Sequence, residues 1–362
     1  MKNPALFLLT VLALASLNCS LPSATPTPVI VLVTTTSEAA PLPTAQAASP
    51  TTAVLPTIVQ PLPTFTSIPS STAAATFTPL PSATSTVTKT PEPPPASGLG
   101  SRLIHAANGG NTTSNYTDVN NSAINGDANK IIMVTANWNP GGSGGTYNTP
   151  AVGVWFNGGS NKWSIFNEDT STMPLNAAFN VLIPSSNILS FVHTASAGNI
   201  TSNYTTINKG ALNNNPDAVF FVTVNWNPGG GSGVYNPAPI GVWYNGATDR
   251  WAVFNQDLSA MPAGTSFNVL IPQTNPRVYV HTANAGNTVS NYTLINHPAS
   301  NNNPNAVIFV TANWNPGGSG GVYDPSALGV WYSASDNKWA IFNQDLSAMP
   351  PGASFNVMVF GG

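Results

Sequence analysis

The sequence predicts an all-β protein in which three tandem repeats of about 88 residues, each a small β-sandwich or barrel-like unit, follow a disordered stalk. The first observation is a constant step: His105, His193 and His281 are 88 residues apart, and the residues around them keep one register. The second is that short β-rich runs alternate with Gly/Asn turn clusters, without a helical period. The third is a Thr/Pro/Ser-rich stretch ahead of the repeats, which cannot build a core.

Residues 1–19 have the pattern of an export signal. Lys2 precedes an apolar run, Ala5–Leu17, which is too short to span a bilayer and fits the hydrophobic region of a secretory signal. Cys19 follows this run and resembles the lipidated cysteine of bacterial lipoproteins, although Asn18 stands where a small residue is usual. We therefore expect lipidation at Cys19; the alternative is ordinary cleavage that leaves a free thiol. Because Cys19 is the only cysteine, the fold has no intrachain disulfide and depends on its core.

Residues 20–100 form the predicted stalk. Thr, Pro, Ser and Ala dominate it, and its frequent prolines remove backbone donors and favour extended polyproline II segments. A fully extended chain of this length reaches on the order of 200 Å. Together with the signal segment, the stalk predicts an exported protein at the cell surface or outside the cell, which touches the membrane through its lipid anchor alone.

The three repeats are assigned to residues 101–188, 189–276 and 277–362. Six strands are predicted in the first, enough for a core of its own. They are Leu103–Ala107, Asn115–Asn120, Lys130–Asn139, Val152–Asn157, Trp163–Asn167 and Phe179–Pro184. The connector Pro184–Ser190 is short, so the sequence permits two arrangements: three independent domains, or one closed body with pseudo-threefold symmetry.

The composition excludes two classes of partner. Charged residues make up only 6% of the chain, and the net charge is −3. Nucleic acids and anionic lipid surfaces both require clustered basic residues, so neither is an expected partner. Neutral polar and aromatic side chains remain, and these suit an uncharged polysaccharide or a surface protein. Three weak sites in one chain gain affinity through multivalency.

The first repeated motif reads Thr-Ala-Asn-Trp-Asn-Pro-Gly-Gly and begins at Thr135. Side chains alternate along a strand, so Thr135, Asn137 and Asn139 share one face, whereas Trp138 lies on the other face with the apolar residues. The amide row ends at a glycine-rich loop, which a ligand can approach closely. We interpret Asn139 as a candidate ligand-binding residue; the alternative is that Asn137 and Asn139 cap strand ends and turns. The equivalents of Asn139 are Asn227 and Asn315.

The second motif places Gly-Val-Trp and Trp-x-x-Phe-Asn on either side of a turn, which predicts a hairpin. Each repeat contains three of the nine tryptophans. We expect Trp138 and Trp163 to be largely buried, because a small β-domain needs bulky core residues. Trp155 and Tyr147, which follows the glycine-rich loop, are better candidates for stacking on a sugar ring. Their equivalents are Trp243, Trp331, Tyr235 and Tyr323.

The residue pattern favours neither catalysis nor a metal or cofactor site. Each repeat carries one histidine and one aspartate in register, His105 and Asp169 in the first. One carboxylate cannot supply the pair used in glycoside hydrolysis, and one His with one Asp falls short of a zinc site. A Ser114–His105–Asp169 triad can be drawn, but Ser114 lacks the glycines of a nucleophile elbow. Asn125–Asn129 resembles part of a calcium loop, yet its equivalents differ, so a turn is preferred.

The complete pattern resembles a repeat domain of secreted and surface proteins of bacteria, for which no activity is established. The resemblance rests on His-Thr-Ala, Asn-Trp-Asn-Pro-Gly-Gly, Gly-Val-Trp-Tyr, Phe-Asn-Gln-Asp, Met-Pro and Phe-Asn-Val, and it covers residues 102–362. The first repeat departs most, with His-Ala-Ala at His105 and Phe-Asn-Glu-Asp ending at Asp169. The resemblance implies a bacterial cell-surface setting and no particular substrate or mechanism.

These observations favour a non-catalytic, multivalent protein that binds glycans or another neutral extracellular polymer. The alternative is a structural or protein-binding adhesion module at the cell surface. A hydrolase is a more remote alternative, because the sequence shows no cluster of acidic residues in any one repeat.

Overall fold

The computed structural model describes residues 98–272 and 275–361, so the predicted signal, Cys19 and nearly all of the stalk lie outside the described residues. The described chain is all-β, as predicted. All six predicted strands of the first repeat are present, with ends that differ by a few residues, and one two-residue strand is added. The strands of repeat 1 are β1 (Gly100–Ala106), β2 (Thr112–Thr113), β3 (Tyr116–Val119), β4 (Met133–Asn137), β5 (Val152–Asn157), β6 (Lys162–Asn167) and β7 (Ala178–Pro184).

The other two repeats contain the same seven strands in the same order. Those of repeat 2 are β8 (Leu189–Thr194), β9 (Ile200–Thr201), β10 (Tyr204–Ile207), β11 (Phe221–Asn225), β12 (Ile240–Asn245), β13 (Arg250–Asn255) and β14 (Ser266–Ile271). Those of repeat 3 are β15 (Val278–Thr282), β16 (Thr288–Val289), β17 (Tyr292–Leu294), β18 (Val307–Asn313), β19 (Leu328–Ser333), β20 (Lys338–Asn343) and β21 (Ser354–Phe360). In the described residues no helix is long and apolar enough to cross a membrane.

Each seven-stranded sheet contains strands from two different repeats. The three strand orders are β2-β3-β6-β5-β11-β14-β8, β15-β21-β18-β12-β13-β10-β9 and β1-β7-β4-β19-β20-β17-β16. Within a repeat the strands pair antiparallel, whereas the strands that join two repeats pair parallel. These parallel pairs are β5/β11 between repeats 1 and 2, β12/β18 between repeats 2 and 3, and β19/β4 between repeats 3 and 1.

The three repeats therefore close into a ring with pseudo-threefold symmetry. The sequence left independent domains and a closed body as alternatives, and the sheet topology is that of the closed body. The two halves of each sheet come from different repeats, so no repeat completes a sheet by itself. We call the contact around each parallel pair an inter-repeat interface.

Hydrophobic cores form both within and between the repeats. Each repeat has its own core around one fully buried tryptophan, which is Trp163, Trp251 or Trp339. A fourth core is shared by all three repeats. Its buried members are Leu99, Met133, Leu182, Ile188, Phe221, Leu270, Val307, Phe309, Met358 and Phe360. Because each large apolar side chain contributes about 2 kcal/mol on burial, this shared core strongly favours the closed ring.

The polar face of the Asn-Trp-Asn strand is buried as well. The sequence interpretation treated it as a potential binding strip, but Thr135 and Asn137 are buried because this face packs against the neighbouring repeats. The Oγ1 atom of Thr223 accepts a hydrogen bond from the backbone N–H of Val134 at 3.1 Å. The same contact at 3.1 Å joins Thr311 to Val222 and Thr135 to Val310. These threonines bond one repeat to the next around the ring.

Candidate functional site

The three asparagines proposed as ligand contacts are part of the inter-repeat interfaces. Asn227 is buried, and its Oδ1 accepts the backbone N–H of Phe156 at 2.7 Å while its Nδ2 donates to the carbonyl of the same residue at 3.0 Å. Asn315 makes the same pair of bonds to Tyr244, and Asn139 makes it to Tyr332. Each asparagine side chain thus makes with the neighbouring repeat the two backbone hydrogen bonds that a paired strand residue would make. Their amides are therefore occupied by backbone, and we leave them out of the candidate site.

Asn137 and its equivalents continue this network. The Nδ2 of Asn137 donates to Oδ1 of Asn180 at 2.9 Å, and Nδ2 of Asn180 donates to the carbonyl of Ile308 in repeat 3 at 2.9 Å. Asn180 is fully buried. A buried amide is costly unless it is bonded, so these side chains select the correct neighbouring strand.

The candidate site is an aromatic cage at each inter-repeat interface. The first cage lies between repeats 1 and 2 and surrounds a cavity of about 290 Å³. Repeat 1 contributes Tyr116, Trp155 and Phe166, and repeat 2 contributes Trp226 and Tyr235. The remaining lining residue, Asn115, is uncharged like the others. A neutral cavity with aromatic walls suits a ligand that presents C–H groups or a soft cation to the ring faces.

Four ring contacts connect the five rings of the first cage in sequence. Tyr116 contacts Trp155 with ring centroids 5.3 Å apart, and Trp155 contacts Trp226 at 6.1 Å, in both cases edge to face. Trp226 contacts Tyr235 at 5.6 Å, and Tyr235 contacts Phe166 at 5.8 Å. Phe166 pairs with Tyr116 in the β3/β6 ladder, so their side chains lie on the same face of the sheet.

The same five ring types recur at the other two interfaces. The second cage lies between repeats 2 and 3 around a cavity of about 210 Å³. Its rings are Tyr204, Trp243, Phe254, Trp314 and Tyr323. The third cage lies between repeats 3 and 1, and its rings make the same contacts at 5.3 to 6.2 Å. They are Tyr292, Trp331, Phe342, Trp138 and Tyr147.

The glycine-rich loop places the tyrosine of each cage. In the third cage the chain crosses directly over Trp138: a methyl group on Gly145 would lie 1.6 Å from the Trp138 carbonyl oxygen. The turn at Pro140–Gly142 makes this return possible, because Gly141 has φ of 73°, a left-handed conformation that favours glycine. Tyr147 is thereby held against Trp138, with 44% of its surface exposed. A ligand can reach the tyrosine without any change in the fold.

The structure brings some of the predicted site residues together and adds others. Trp155 and Tyr147 do belong to cages, although to different ones, because each cage draws on two repeats. Trp163 is fully buried as expected, and its indole N–H donates to the carbonyl of Asp127 at 3.0 Å. Trp138, expected in the core, is only partly buried and forms a cage wall. Its indole Nε1 is buried, and none of the described residues bonds to it.

Tyr116 and Phe166 were not identified from the sequence, nor were their equivalents. Both occur in motifs that repeat at the 88-residue step, Asn-Tyr-Thr and Phe-Asn. That recurrence was the available signal. It could not separate cage residues from core residues, because both recur equally.

The residues considered for catalysis bond elsewhere. His105 Nε2 lies 2.8 Å from the Thr117 hydroxyl, and burial lowers the pKa of His105 to about 4. Asp169 accepts hydrogen bonds from the backbone N–H and hydroxyl of Ser171 at 2.9 and 2.6 Å. Ser114 lies in a turn, where its carbonyl accepts the N–H of Met173. Over residues 98–272 and 275–361, no three His, Cys, Asp or Glu side chains converge as a metal site would require.

A family model for a domain of unknown function (DUF7452) matches the chain three times, over residues 96–160, 153–248 and 244–359. These segments span all three repeats and agree with the tandem repeat domain expected from the motifs. Neither curated proteins nor solved structures give a match to the chain. The chain belongs to this family of domains of unknown function.

Proposed function

We propose that the protein is a non-catalytic, multivalent binding protein whose three aromatic cages bind glycans or another neutral extracellular polymer. One observation carries the proposal: five aromatic rings line a cavity at two inter-repeat interfaces, and the same ring types make the same contacts at the third. Sugar rings have apolar faces that pack on aromatic side chains. Three cages in one ring can hold three points of a polymer, which raises the apparent affinity above that of one cage.

The exposure of the cage tyrosines supports a ligand site over a purely structural cluster. Tyr147, Tyr235 and Tyr323 are 44 to 45% exposed. An aromatic group whose role is only to close an interface gains more stability when it is fully buried. The partial exposure of the same ring in all three cages is the arrangement that a ligand would complete.

Variants of the exposed tyrosines test this proposal. We expect the triple variant Tyr147→Ser, Tyr235→Ser and Tyr323→Ser to lose binding to a polysaccharide that the unmodified protein retains. Because these rings are partly exposed, the fold should survive, which circular dichroism and urea unfolding would check. The matched control is Leu175→Ser, which changes an apolar side chain that is 55% exposed and does not line a cage.

Two outcomes would count against glycan binding. If the triple tyrosine variant binds as well as the control, the cages are not the site. If neither the protein nor the control binds any polysaccharide in a broad panel, the adhesion alternative takes precedence. In that case the cages would be tested against surface proteins in the same assay.

The proposal also includes export and a lipid anchor at Cys19. The apolar run ahead of Cys19 and the proline-rich stalk support this setting. We expect the protein to fractionate with membranes, and Cys19→Ser to release it into the soluble fraction. Mass spectrometry of the N-terminal peptide would identify the modification, and an unmodified Cys19 in the membrane fraction would contradict it.

A further inference from the structure

A pair of polar residues lies behind each aromatic cage. One member follows the cage phenylalanine by two positions, and the other directly follows the cage tyrosine of the next repeat. We call these the backing pairs, and their two members meet across the inter-repeat interface. They are Glu168 with Asn236 at the first cage, Gln256 with Asp324 at the second, and Gln344 with Asn148 at the third.

Hydrogen bonds define the geometry of the backing pairs. Oε2 of Glu168 accepts the backbone N–H of Asn236 at 2.9 Å. At the same position of the other two interfaces, a glutamine Oε1 accepts the equivalent N–H at 3.3 Å and 3.4 Å. The three interfaces thus share one architecture and differ in whether a carboxyl or an amide makes the contact.

At the first interface the Glu168 side chain lies directly behind the cage wall. A methyl group on Gly153 would be 2.1 Å from Glu168 Oε1 and 2.8 Å from Phe166 Cε1, so the carboxyl oxygen and the ring edge occupy adjacent space. The residue bonded to Glu168, Asn236, directly follows the cage ring Tyr235. A charge on Glu168 would therefore lie next to the Phe166 ring that lines the cavity.

Two backing pairs contain one buried carboxyl each, from opposite sides of the interface. Glu168 comes from the first repeat of its pair. Asp324 comes from the second repeat of its pair, and its Oδ1 accepts a hydrogen bond from Asn343 Nδ2 of the same repeat at 3.0 Å. Within the described residues, Glu168 Oε1 and Asp324 Oδ2 are buried and have no hydrogen-bond partner. Burial raises the pKa of Glu168 to about 8 and that of Asp324 to about 7. Both groups can therefore ionise near neutral pH if a positive charge is placed nearby.

A positive ligand group would provide that charge. The face of an aromatic ring attracts a cation, and a carboxylate behind the ring adds to the attraction. At the third cage both members of the backing pair are amides, so only the aromatic rings attract a cation there. We infer that the first and second cages select a ligand group with an organic ammonium charge over a neutral group of the same shape, and that the third cage selects much less.

This inference rests on the proposed function, because it assumes that the cages are the ligand sites. It specifies the ligand further: among glycans it favours one that carries positively charged amino-bearing units, such as amino sugars, at two of its three contacts, in place of a neutral polymer.

Choline and 3,3-dimethylbutan-1-ol form a suitable pair of probes, because they have the same shape and differ in charge. The indole N–H signals of the nine tryptophans, assigned with Trp→Phe variants, report each cage separately by NMR. For each cage, the measured quantity is the ratio of the affinity for choline to the affinity for the neutral alcohol. At pH 7.5 we expect this ratio to be roughly tenfold larger at the first and second cages than at the third. Equal preference at all three cages would overturn the inference.

Three variants assign the effect to the carboxyls. Glu168→Gln should remove the extra preference at the first cage alone, and Asp324→Asn at the second cage alone. Each change introduces the residue found at the equivalent position elsewhere in the ring, so folding should be retained. Gln344→Glu should create the preference at the third cage.

The outcomes separate this inference from the proposed function. If both probes bind equally, or if Glu168→Gln and Asp324→Asn leave the preference unchanged, the inference fails while the cages remain ligand sites. If neither probe shifts a cage signal, the inference fails too, and the polysaccharide screen with the tyrosine variants decides the proposed function independently.

Discussion

The replacement Glu168→Gln tests whether the first inter-repeat interface contains a neutral acid. Burial raises the pKa of Glu168 to about 8 from its ordinary value of 4.5, partly offset by the hydrogen bond from the Asn236 backbone. The native state therefore keeps a proton that the unfolded chain loses above pH 4.5. It follows that the free energy of unfolding falls as pH rises from about 4.5 through about 8.

The size of this effect follows from the shift. A pKa raised from 4.5 to about 8 corresponds to a loss of roughly 5 kcal/mol once pH exceeds both values. Glutamine fits the same place, as Gln256 and Gln344 show at the other interfaces, and it does not titrate. We therefore expect Glu168→Gln to match the unmodified protein near pH 5 and to become more stable by several kcal/mol at pH 9.

Urea unfolding at pH 5, 7 and 9, followed by tryptophan fluorescence, measures this difference. All other titrating groups, including Asp324, are common to the two proteins, so their difference isolates Glu168. The control is Gln344→Glu, which should introduce the same loss at the third interface. If the unmodified protein and Glu168→Gln keep a constant stability difference from pH 6 to pH 9, the reasoning is refuted.

Three further predictions concern the rest of the fold. Burial lowers the pKa of the repeated histidines, His105, His193 and His281, from 6.5 to about 4. The unfolded chain therefore binds protons that the native state excludes, and the free energy of unfolding should fall by roughly 3 kcal/mol per histidine as pH drops from 6.5 through 4. NMR titration of the imidazole signals would check this, and an inflection near pH 6.5 would contradict it. Asn227→Ala should cost about 3 kcal/mol in urea unfolding, because it leaves the buried backbone groups of Phe156 unpaired; a loss under 1 kcal/mol would contradict the interface role. Gly329→Ala places a methyl group 2.6 Å from Phe342 Cε1, so it should displace that ring and shift the indole signals of the third cage alone.

The strands could be predicted from the sequence because their signals are local. Alternating apolar residues and Gly/Asn turns recur in each repeat, and Val152–Asn157 was predicted with the bounds that the structure has. The two-residue strand at Thr112–Thr113 was missed, since two residues are too few to show a period. The full burial of Trp163 also followed from the need for bulky core residues, whereas the same argument wrongly assigned Trp138 to the core.

The role of Asn139 could not be predicted in the same way. Its amide bonds to the backbone of Tyr332, 193 positions away. Strand periodicity assigns a face to a side chain and does not identify what covers that face. An amide row beside a glycine-rich loop suits a ligand strip or a strand joint equally well, and only the packing of the neighbouring repeat distinguishes them.

The sequence alone predicts an all-β protein of three repeats in one register, with a low charge and an aromatic-rich composition. These properties depend on local patterning and on composition. The closure of the repeats into a ring, the assembly of each cage from two repeats and the position of Glu168 behind the first cage are seen only in the folded chain. Those features depend on contacts between residues 68 to 193 positions apart, which side-chain periodicity within one repeat does not encode.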